Sequence, residues 1–225
     1  MKIPESKFLK IKENIKNRCK YCDSSGCNEC SKKISRITLY AQANIPMEYW
    51  SKSFKAFEGD KRFKLAMHNY IKDIEKMYDD GVSLGFSGSL GTGKTYMASC
   101  FLKIAITKGY TAGYYNMSDM IQESMDNRAF FSEITEKDFI VIDEYDLRWV
   151  YPTERAELLF GQTMERVLRH RFQNGLPTIL CSNTPNLKDV LAGDFSRSTG
   201  SLFAKFLKQY TVSGIDYRKK TGNNV

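Results

Sequence analysis

Residues 88–95 combine residue types and a spacing that could bind phosphate. A glycine is followed by four residues and then by glycine, lysine and threonine, so that the segment reads Gly88, Ser89, Leu90, Gly91, Thr92, Gly93, Lys94, Thr95. Glycine permits positive φ and close backbone approach, so successive N–H groups can converge on phosphate oxygens. We expect Lys94 to hold the β- and γ-phosphates of ATP, Thr95 to ligate Mg²⁺, and Tyr96, the next residue, to belong to the same nucleotide site. An ordinary glycine-rich turn is the alternative, but the strand-like segment before the loop and the helix-like segment after it favour phosphate binding.

Two adjacent carboxylates follow the apolar run 139–142. Such a run predicts a buried strand, and open α/β sheets place their chemistry at the carboxyl ends of the strands. We expect Asp143 to position Mg²⁺ and Glu144 to polarise a water molecule toward the γ-phosphate. A glutamate beside the magnesium aspartate favours hydrolysis over phosphoryl transfer to a second substrate. An acidic strand end on the surface is the alternative.

Asn183 stands at the end of another predicted strand, 177–183. Its amide could orient the attacking water and sense the γ-phosphate. An asparagine after a strand is more often turn chemistry, so this role depends on the residues around it.

Four cysteines lie within twelve residues as two Cys-x-x-Cys pairs, Cys19 with Cys22 and Cys27 with Cys30. Each pair can present two thiolates from one turn, and Gly26 eases the reversal between the pairs, which predicts a small tetrahedral Zn²⁺ knuckle. An iron–sulfur cluster or a metal-free redox segment is the alternative. Disulfides are disfavoured in a reducing cytosol.

The net charge of +8 is concentrated at the two ends of the chain. Residues 1–36 carry 10 Lys/Arg and 4 Asp/Glu (+6), residues 196–225 carry 6 and 1 (+5), and residues 37–195 carry 18 and 21 (−3). Basic ends favour nucleic acid or an acidic protein surface as partner, although simple solvation is the alternative. No apolar run is long enough to cross a bilayer and the start lacks a signal-peptide segment, so we expect a cytoplasmic protein without a membrane partner.

The hydrophobic pattern predicts a three-layer α/β sandwich with a five-stranded parallel sheet. Strands are expected at 82–87, 110–115, 139–142, 177–183 and 210–213, and helices at 5–17, 62–80, 96–108, 119–130 (with Ser118 as N-cap) and 153–174. Residues 1–36 are expected to be a basic zinc-binding partner segment, 37–60 a linker and 61–225 the ATPase domain. Only a dozen residues follow the last strand, so no full lid domain is expected.

Two further groups of residues could reach nucleic acid by charge and stacking. One is Arg169, His170 and Arg171 at a predicted helix end, and the other is Tyr145, Trp149 and Tyr151 after the carboxylates. Cations are also favoured at helix C-termini, and aromatic residues beside a sheet usually pack, so both groups have a purely structural alternative.

Taken together, the motifs resemble AAA+ ATPases of the DnaC/DnaI type, which load replicative helicases and include phage-borne relatives. The resemblance is carried by residues 91–95, 114–117, 143–144, 178–183 and 216–218, and by 43–46 after the cysteines. It implies that Asn183 is a γ-phosphate sensor and that Arg218 reads the nucleotide. It also implies a hexameric replicative helicase and single-stranded DNA as partners, with self-association through the ATP site.

The sequence departs from this family where a Ser-Arg pair usually supplies an arginine finger. Ala204 and Lys205 occupy that place, so Arg197 or Lys205 would have to complete the site of a neighbouring subunit. Lysine lacks the planar fork that binds phosphate bidentately.

Three functions are consistent with these residues. The first is an ATP-dependent loader of a replicative helicase onto single-stranded DNA, in which ATP binding drives assembly and hydrolysis drives release. The second is an IstB-like transposition helper, although such relatives usually lack a zinc knuckle. The third is an ATP-binding adaptor with negligible turnover.

Overall fold

A computed structural model of the chain describes residues 3–126, 128–145, 154–184, 187, 201 and 205–217. Within these residues the centre is a sheet of five parallel strands in the order β2-β3-β4-β1-β5. The strands are β1 (Ser83–Ser87), β2 (Ala112–Asn116), β3 (Phe139–Asp143), β4 (Thr178–Cys181) and β5 (Leu207–Thr211). The predicted α/β fold with a five-stranded parallel sheet is therefore confirmed.

Helices cover both faces of this sheet. In the described part of the chain they are α1 (Glu5–Asn17), α2 (Asn28–Gln42), α3 (Lys61–Lys72), α4 (Ile74–Asp79), α5 (Lys94–Thr107), α6 (Met117–Asp126), α7 (Arg128–Glu136) and α8 (Glu154–Gln173). A 3₁₀ turn, Met47–Tyr49, lies between α2 and α3. None of the described helices is long and apolar enough to cross a membrane.

The side chains of β3 alternate between two separate hydrophobic clusters. Phe139 and Val141 pack in the cluster that includes helix α5, whereas Ile140 and Ile142 pack in the cluster that includes helix α8. Because successive side chains of a strand point to opposite faces, a continuous apolar run fills both layers. This double burial fixes the position at which β3 delivers its polar end.

The predicted linker, 37–60, is packed against the core. Helix α2 continues across position 36, and Ala43, Ile45 and Phe57 are buried in the cluster on the α5 face. The ammonium group of Lys103 on α5 donates to the carbonyls of residues 49, 50 and 52, and only 7% of that residue is exposed. After the end of α2 at Gln42, the weak periodicity reflects a chain that is held by such contacts instead of by a regular α-helix.

Some predicted boundaries are wrong. The segment 62–80 forms two helices that break at Asp73, a poor helix former, and the break keeps Tyr70 and Ile74 on the buried side. Of the predicted helix 119–130, residues 119–126 lie in α6 and 128–130 in α7, and Asn116, not Ser118, caps α6, since its Oδ1 accepts the Ser118 N–H at 3.0 Å. The last strand begins at Leu207 instead of at 210.

Candidate nucleotide site and cysteine cluster

The strand register brings the predicted phosphate loop and the carboxylates to one edge of the sheet. Phe86 of β1 pairs with Cys181 of β4, and Ile142 of β3 pairs with Leu180. The backbone N–H of Tyr145 then donates to Cys181 O at 2.9 Å. The carboxyl end of β3 and the loop after β1 are therefore separated by the single strand β4, whose own end carries Asn183.

The loop itself has the backbone conformation that its glycines allow. Gly88, Gly91 and Gly93 have φ of 135°, 74° and 93°, a region that residues with a Cβ rarely adopt. Space is limiting as well, because a Cβ at Gly88 would collide with the carbonyl oxygen of Val212, and one at Gly93 would lie 2.5 Å from a ring carbon of Phe57. Both close contacts leave no room for a Cβ, so the loop requires glycine at these two positions.

Lys94 begins helix α5 and is only 5% exposed. Its Nζ donates to the carbonyls of Gly88 and Ser89 at 2.8 Å each, so the cation lies directly under the loop. Thr95 follows in the first turn of α5 and is partly exposed. Helix α5 thus starts at the loop, and its N-terminal N–H groups and positive dipole end favour an anion there.

Tyr96 faces the segment that precedes the sheet. Its ring centroid lies 5.5 Å from that of Phe57 and 6.2 Å from that of Tyr49, and its hydroxyl donates to Ser53 O at 2.9 Å. Aromatic residues of the segment 37–60, which was predicted to be a linker, therefore line the side of the phosphate loop.

Residues after β5 close the other side of the loop. The Tyr217 N–H donates to Gly91 O at 3.1 Å, and its hydroxyl donates to Glu58 O at 3.2 Å. The Asp60 carboxylate accepts hydrogen bonds from the backbone and hydroxyl of Ser213 at 3.1 and 2.6 Å. Burial raises the pKa of Asp60, but these bonds and those from the first turn of α3 outweigh it and lower the pKa to about 2.

The predicted magnesium ligand Asp143 and the predicted base Glu144 are both held by side chains of β2. Asp143 is 5% exposed and accepts a hydrogen bond from the Tyr114 hydroxyl at 2.6 Å. Glu144 is exposed, has a φ of 56°, and accepts a hydrogen bond from Asn116 Nδ2 at 2.5 Å. Burial, followed by the charge and hydrogen bond of Asp143, raises the pKa of Tyr114 far above its ordinary value, so this phenol remains a donor at physiological pH.

The other predicted nucleotide contacts are less gathered. Asn183 is partly exposed between the loop and the carboxylates. Lys205 is exposed, and its ammonium lies 4.8 Å from the ring centroid of Phe206. Arg197 and Arg218 lie outside the described residues.

The prediction that Arg171 contacts nucleic acid is wrong. Arg171 is fully buried and donates to the carbonyls of Ile134, Lys137, Asp138 and Pro177 and to the Thr178 hydroxyl. Burial lowers its pKa to about 9 despite the nearby acidic groups. Tyr145 is also fully buried, whereas Trp149 and Tyr151 lie outside the described residues.

The four cysteines of the predicted knuckle converge. Their sulfur atoms all lie within 4.8 Å of one another, with Sγ–Sγ distances of 3.7 Å for Cys19–Cys27, 3.6 Å for Cys22–Cys30 and 3.8 Å for Cys27–Cys30. A tetrahedral Zn²⁺ with Zn–S bonds of ~2.3 Å places its sulfurs ~3.8 Å apart, so the donor set fits zinc. A disulfide would need ~2.05 Å, and all four thiols are free. The backbone N–H of Tyr21 lowers the pKa of Cys19 to about 7.

Sequence reasoning did not assign roles to Tyr114, Asn116, Asp60 or Phe57. A signal existed for Asn116, because it is a polar residue at the carboxyl end of a predicted strand, where open parallel sheets place their chemistry. The register then pairs it with Asp143. The contacts of Asp60 and Phe57 join segments that are far apart in the chain, and no local sequence pattern predicts such contacts.

Comparison with known proteins identifies the fold. No family model and no curated protein sequence matches this chain. The solved structures to which it is similar include the DnaC helicase loader, with a TM-score of 0.62 and 18% identity over 75% of this chain and 100% of the DnaC chain. DnaI is similar with a TM-score of 0.59 and 16% identity over 76% of this chain and 93% of the DnaI chain. They also include the replication initiator DnaA bound to AMPPCP and single-stranded DNA, with a TM-score of 0.57 and 16% identity. That match covers 80% of this chain and 56% of the DnaA chain. At such identities the similarity shows the fold alone, and at that level the predicted resemblance to DnaC and DnaI is confirmed.

Proposed function

We propose that this chain is an ATPase that loads a replicative DNA helicase onto single-stranded DNA. The observation that carries the proposal is the convergence of Lys94, the glycine loop and Asp143–Glu144 at one sheet edge. The fold is shared with DnaC and DnaI over nearly the whole of those chains. A cysteine tetrad with zinc geometry on the same chain supports a dedicated partner-binding segment.

The residues of the site fit Mg²⁺–ATP, which would supply the phosphoanhydride bond to be cleaved. Backbone N–H groups of the loop and the Lys94 ammonium would hold phosphate oxygens, while Thr95 and Asp143 would hold the cation. Glu144 would accept a proton from the attacking water, which Asn183 would orient. Arg218 would read the nucleotide from the same chain.

Assembly would complete the site. Self-association through the ATP site would bring Arg197 or Lys205 of one subunit to the phosphates of the next, where a cation stabilises the charge that develops on phosphoryl transfer. Residues 1–36 would contact a hexameric helicase, 37–60 would connect them to the core, and 61–225 would form the ATPase. ATP binding would drive assembly and hydrolysis would drive release.

Co-migration with purified replicative helicases tests this function. We expect a complex on size-exclusion chromatography in the presence of a non-hydrolysable ATP analogue, and we expect Lys94→Ala to abolish it. Lys108→Ala, an exposed change at the other end of α5, is the matched control. If the chain binds no such helicase while it still binds ATP, helicase loading is wrong.

An ATP-binding adaptor with negligible turnover is the second candidate. It is favoured by the hydrogen bond that holds Glu144 to Asn116. Measurements of phosphate release with and without single-stranded DNA, for the wild type and Glu144→Gln, separate the two functions. Turnover that DNA stimulates and that Glu144→Gln removes excludes the adaptor.

A further inference from the structure

A groove of about 1020 Å³ separates the N-terminal helices from the outer edge of the sheet. One wall is formed by α1, α2 and the following turn, including Phe8 and Pro46, and the other by β2, α6 and α7, including Tyr115 and Phe130. Pockets for small ligands commonly measure roughly 300–1,000 Å³, so this groove is at or beyond the size that a metabolite would fill. Its dimensions suit a segment of protein chain.

The charge of the groove is opposite to that of the whole protein. Five exposed carboxylates line it, namely Glu5, Glu48, Asp119, Glu123 and Glu133. Among the described residues that line the groove, none is Lys, Arg or His, although the chain carries +8. Described cations beside it include Lys12, whose ammonium lies 4.4 Å from the centroid of the Phe8 ring, and Lys137, whose ammonium lies 3.8 Å from Glu133. Nucleic acid phosphates would be repelled here, and lysine or arginine side chains would be attracted.

The outer edge of β2 is already occupied in part. The Tyr114 N–H donates to Ala43 O at 2.8 Å, so the residues after α2 cover this edge. An incoming extended chain could not form the regular ladder that strand addition needs. An amphipathic helix needs no such ladder, because it docks through side chains in an apolar groove.

We propose that this groove docks a basic amphipathic helix of a partner protein. The apolar face of the helix would lie on Phe8, Pro46 and Phe130, and its cations would reach the rim carboxylates. Two further lining residues, Tyr114 and Asn116, are the ones that hydrogen-bond Asp143 and Glu144. The docked helix would therefore contact the strand that holds both carboxylates. Helix docking would go beyond helicase loading and does not require ATP turnover.

The test uses the full chain without nucleotide and a display library of 16-residue helical peptides with randomised faces. Peptides are selected on the wild type and measured by fluorescence anisotropy against Glu48→Lys/Glu123→Lys. The matched control is Glu13→Lys/Glu136→Lys, which makes the same change of charge at exposed positions outside the groove. Circular dichroism checks that both variants fold.

We expect enriched peptides to carry a net positive charge and an apolar stripe. Their affinity should fall at least about tenfold in the groove variant and less than about twofold in the control, as expected for the reversal of close charges. No enrichment, enrichment of acidic or neutral peptides, or equal loss in both variants would overturn the assignment. Self-association of the wild type that the groove variant alone loses would overturn it in favour of a second copy of this chain.

Discussion

Asn116 donates a hydrogen bond from Nδ2 to Glu144 Oε2 at 2.5 Å across the pair of strands β2 and β3. Glu144 is exposed and has a left-handed backbone conformation, with a φ of 56°, so Asn116 helps to define where its carboxylate points. The Oε2 lone pair that accepts this bond is not available to accept a hydrogen bond from a water molecule. The availability of the proposed base therefore depends on the end of the neighbouring strand.

Replacement of Asn116 by alanine should raise basal ATP turnover. A hydrogen bond to a charged group contributes about 1.5 kcal/mol, and its loss would free the carboxylate by up to about tenfold in rate. Steady-state phosphate release measures the effect, with Asn69→Ala on the exposed side of α3 as control. Lower turnover in Asn116→Ala would show that the contact positions Glu144 productively, and unchanged turnover would show that the contact does not limit the base.

The purified chain should contain about one zinc ion per molecule, as the tetrahedral sulfur spacing indicates. Cys22→Ser should lose the ion and unfold the turn between α1 and α2, because so short a segment has no other core. Elemental analysis and circular dichroism after chelation measure both effects. Cys100→Ser, a change in helix α5 on the sheet, is the control and should retain the metal. Iron in place of zinc, or a chain that stays folded without metal, would contradict the assignment.

Gly88→Ala should lower the free energy of unfolding by at least about 2 kcal/mol and should abolish ATP binding. The new Cβ would combine a φ of 135° with a collision against the Val212 backbone, which cannot swing away as a side chain could. Gly109 also has a positive φ, 94°, but has nothing within 4 Å, so Gly109→Ala isolates the conformational cost of about 1 kcal/mol. Denaturant unfolding and binding of a fluorescent ATP analogue distinguish the two. Equal effects of the two substitutions would mean that the contact with Val212 does not shape the loop.

Acid should weaken the closure between α3 and the end of β5. The pKa of Asp60 is about 2 in the folded chain, below the ~3.9 of an unfolded aspartate. A depressed folded pKa contributes stability that is complete above about pH 4 and is lost as the pH falls through about 2. The free energy of unfolding should therefore fall less steeply between pH 5 and pH 3 in Asp60→Asn than in the wild type. Asp79→Asn, at an exposed position, should keep the wild-type slope.

The sheet and the phosphate loop could be predicted because their signals are local. An apolar run bounded by polar residues predicts a strand such as β3, and the loop motif requires a strand before it and a helix after it. Parallel strands then place their carboxyl ends together, which is why Lys94 and Asp143 could be assigned to one edge from the sequence.

The remaining features depend on contacts between distant segments. Lys103 looks like an ordinary surface residue of a helix, yet it is buried because three carbonyls of the segment before α3 surround its ammonium. The break at Asp73 is invisible to a periodic pattern, since Met67, Tyr70 and Ile74 keep their spacing across it. Periodicity measures which side of a helix is apolar, and it does not measure where the backbone finds its partners.

Arg171 and Arg169 allow the structural and nucleic-acid roles of one basic cluster to be separated. Arg171 is fully buried and its guanidinium satisfies four backbone carbonyls, whereas Arg169 is partly exposed and pairs with Glu165 at 3.0 Å. Arg171→Leu would leave those carbonyls without donors, and we expect a loss of roughly 3–5 kcal/mol in the free energy of unfolding. Arg169→Leu should cost less than about 1 kcal/mol, as is usual for a surface ion pair.

Urea unfolding of both variants, together with anisotropy of labelled single-stranded DNA at a temperature where both remain folded, measures the two effects separately. A stable Arg171→Leu that binds DNA more weakly would restore the nucleic-acid role for this residue. If only Arg169→Leu weakens DNA binding and also reduces the salt dependence of binding, the exposed arginine contacts phosphate. Its neighbour Arg171 then has a structural role, because it holds α8 to the turn before β3 and to the start of β4.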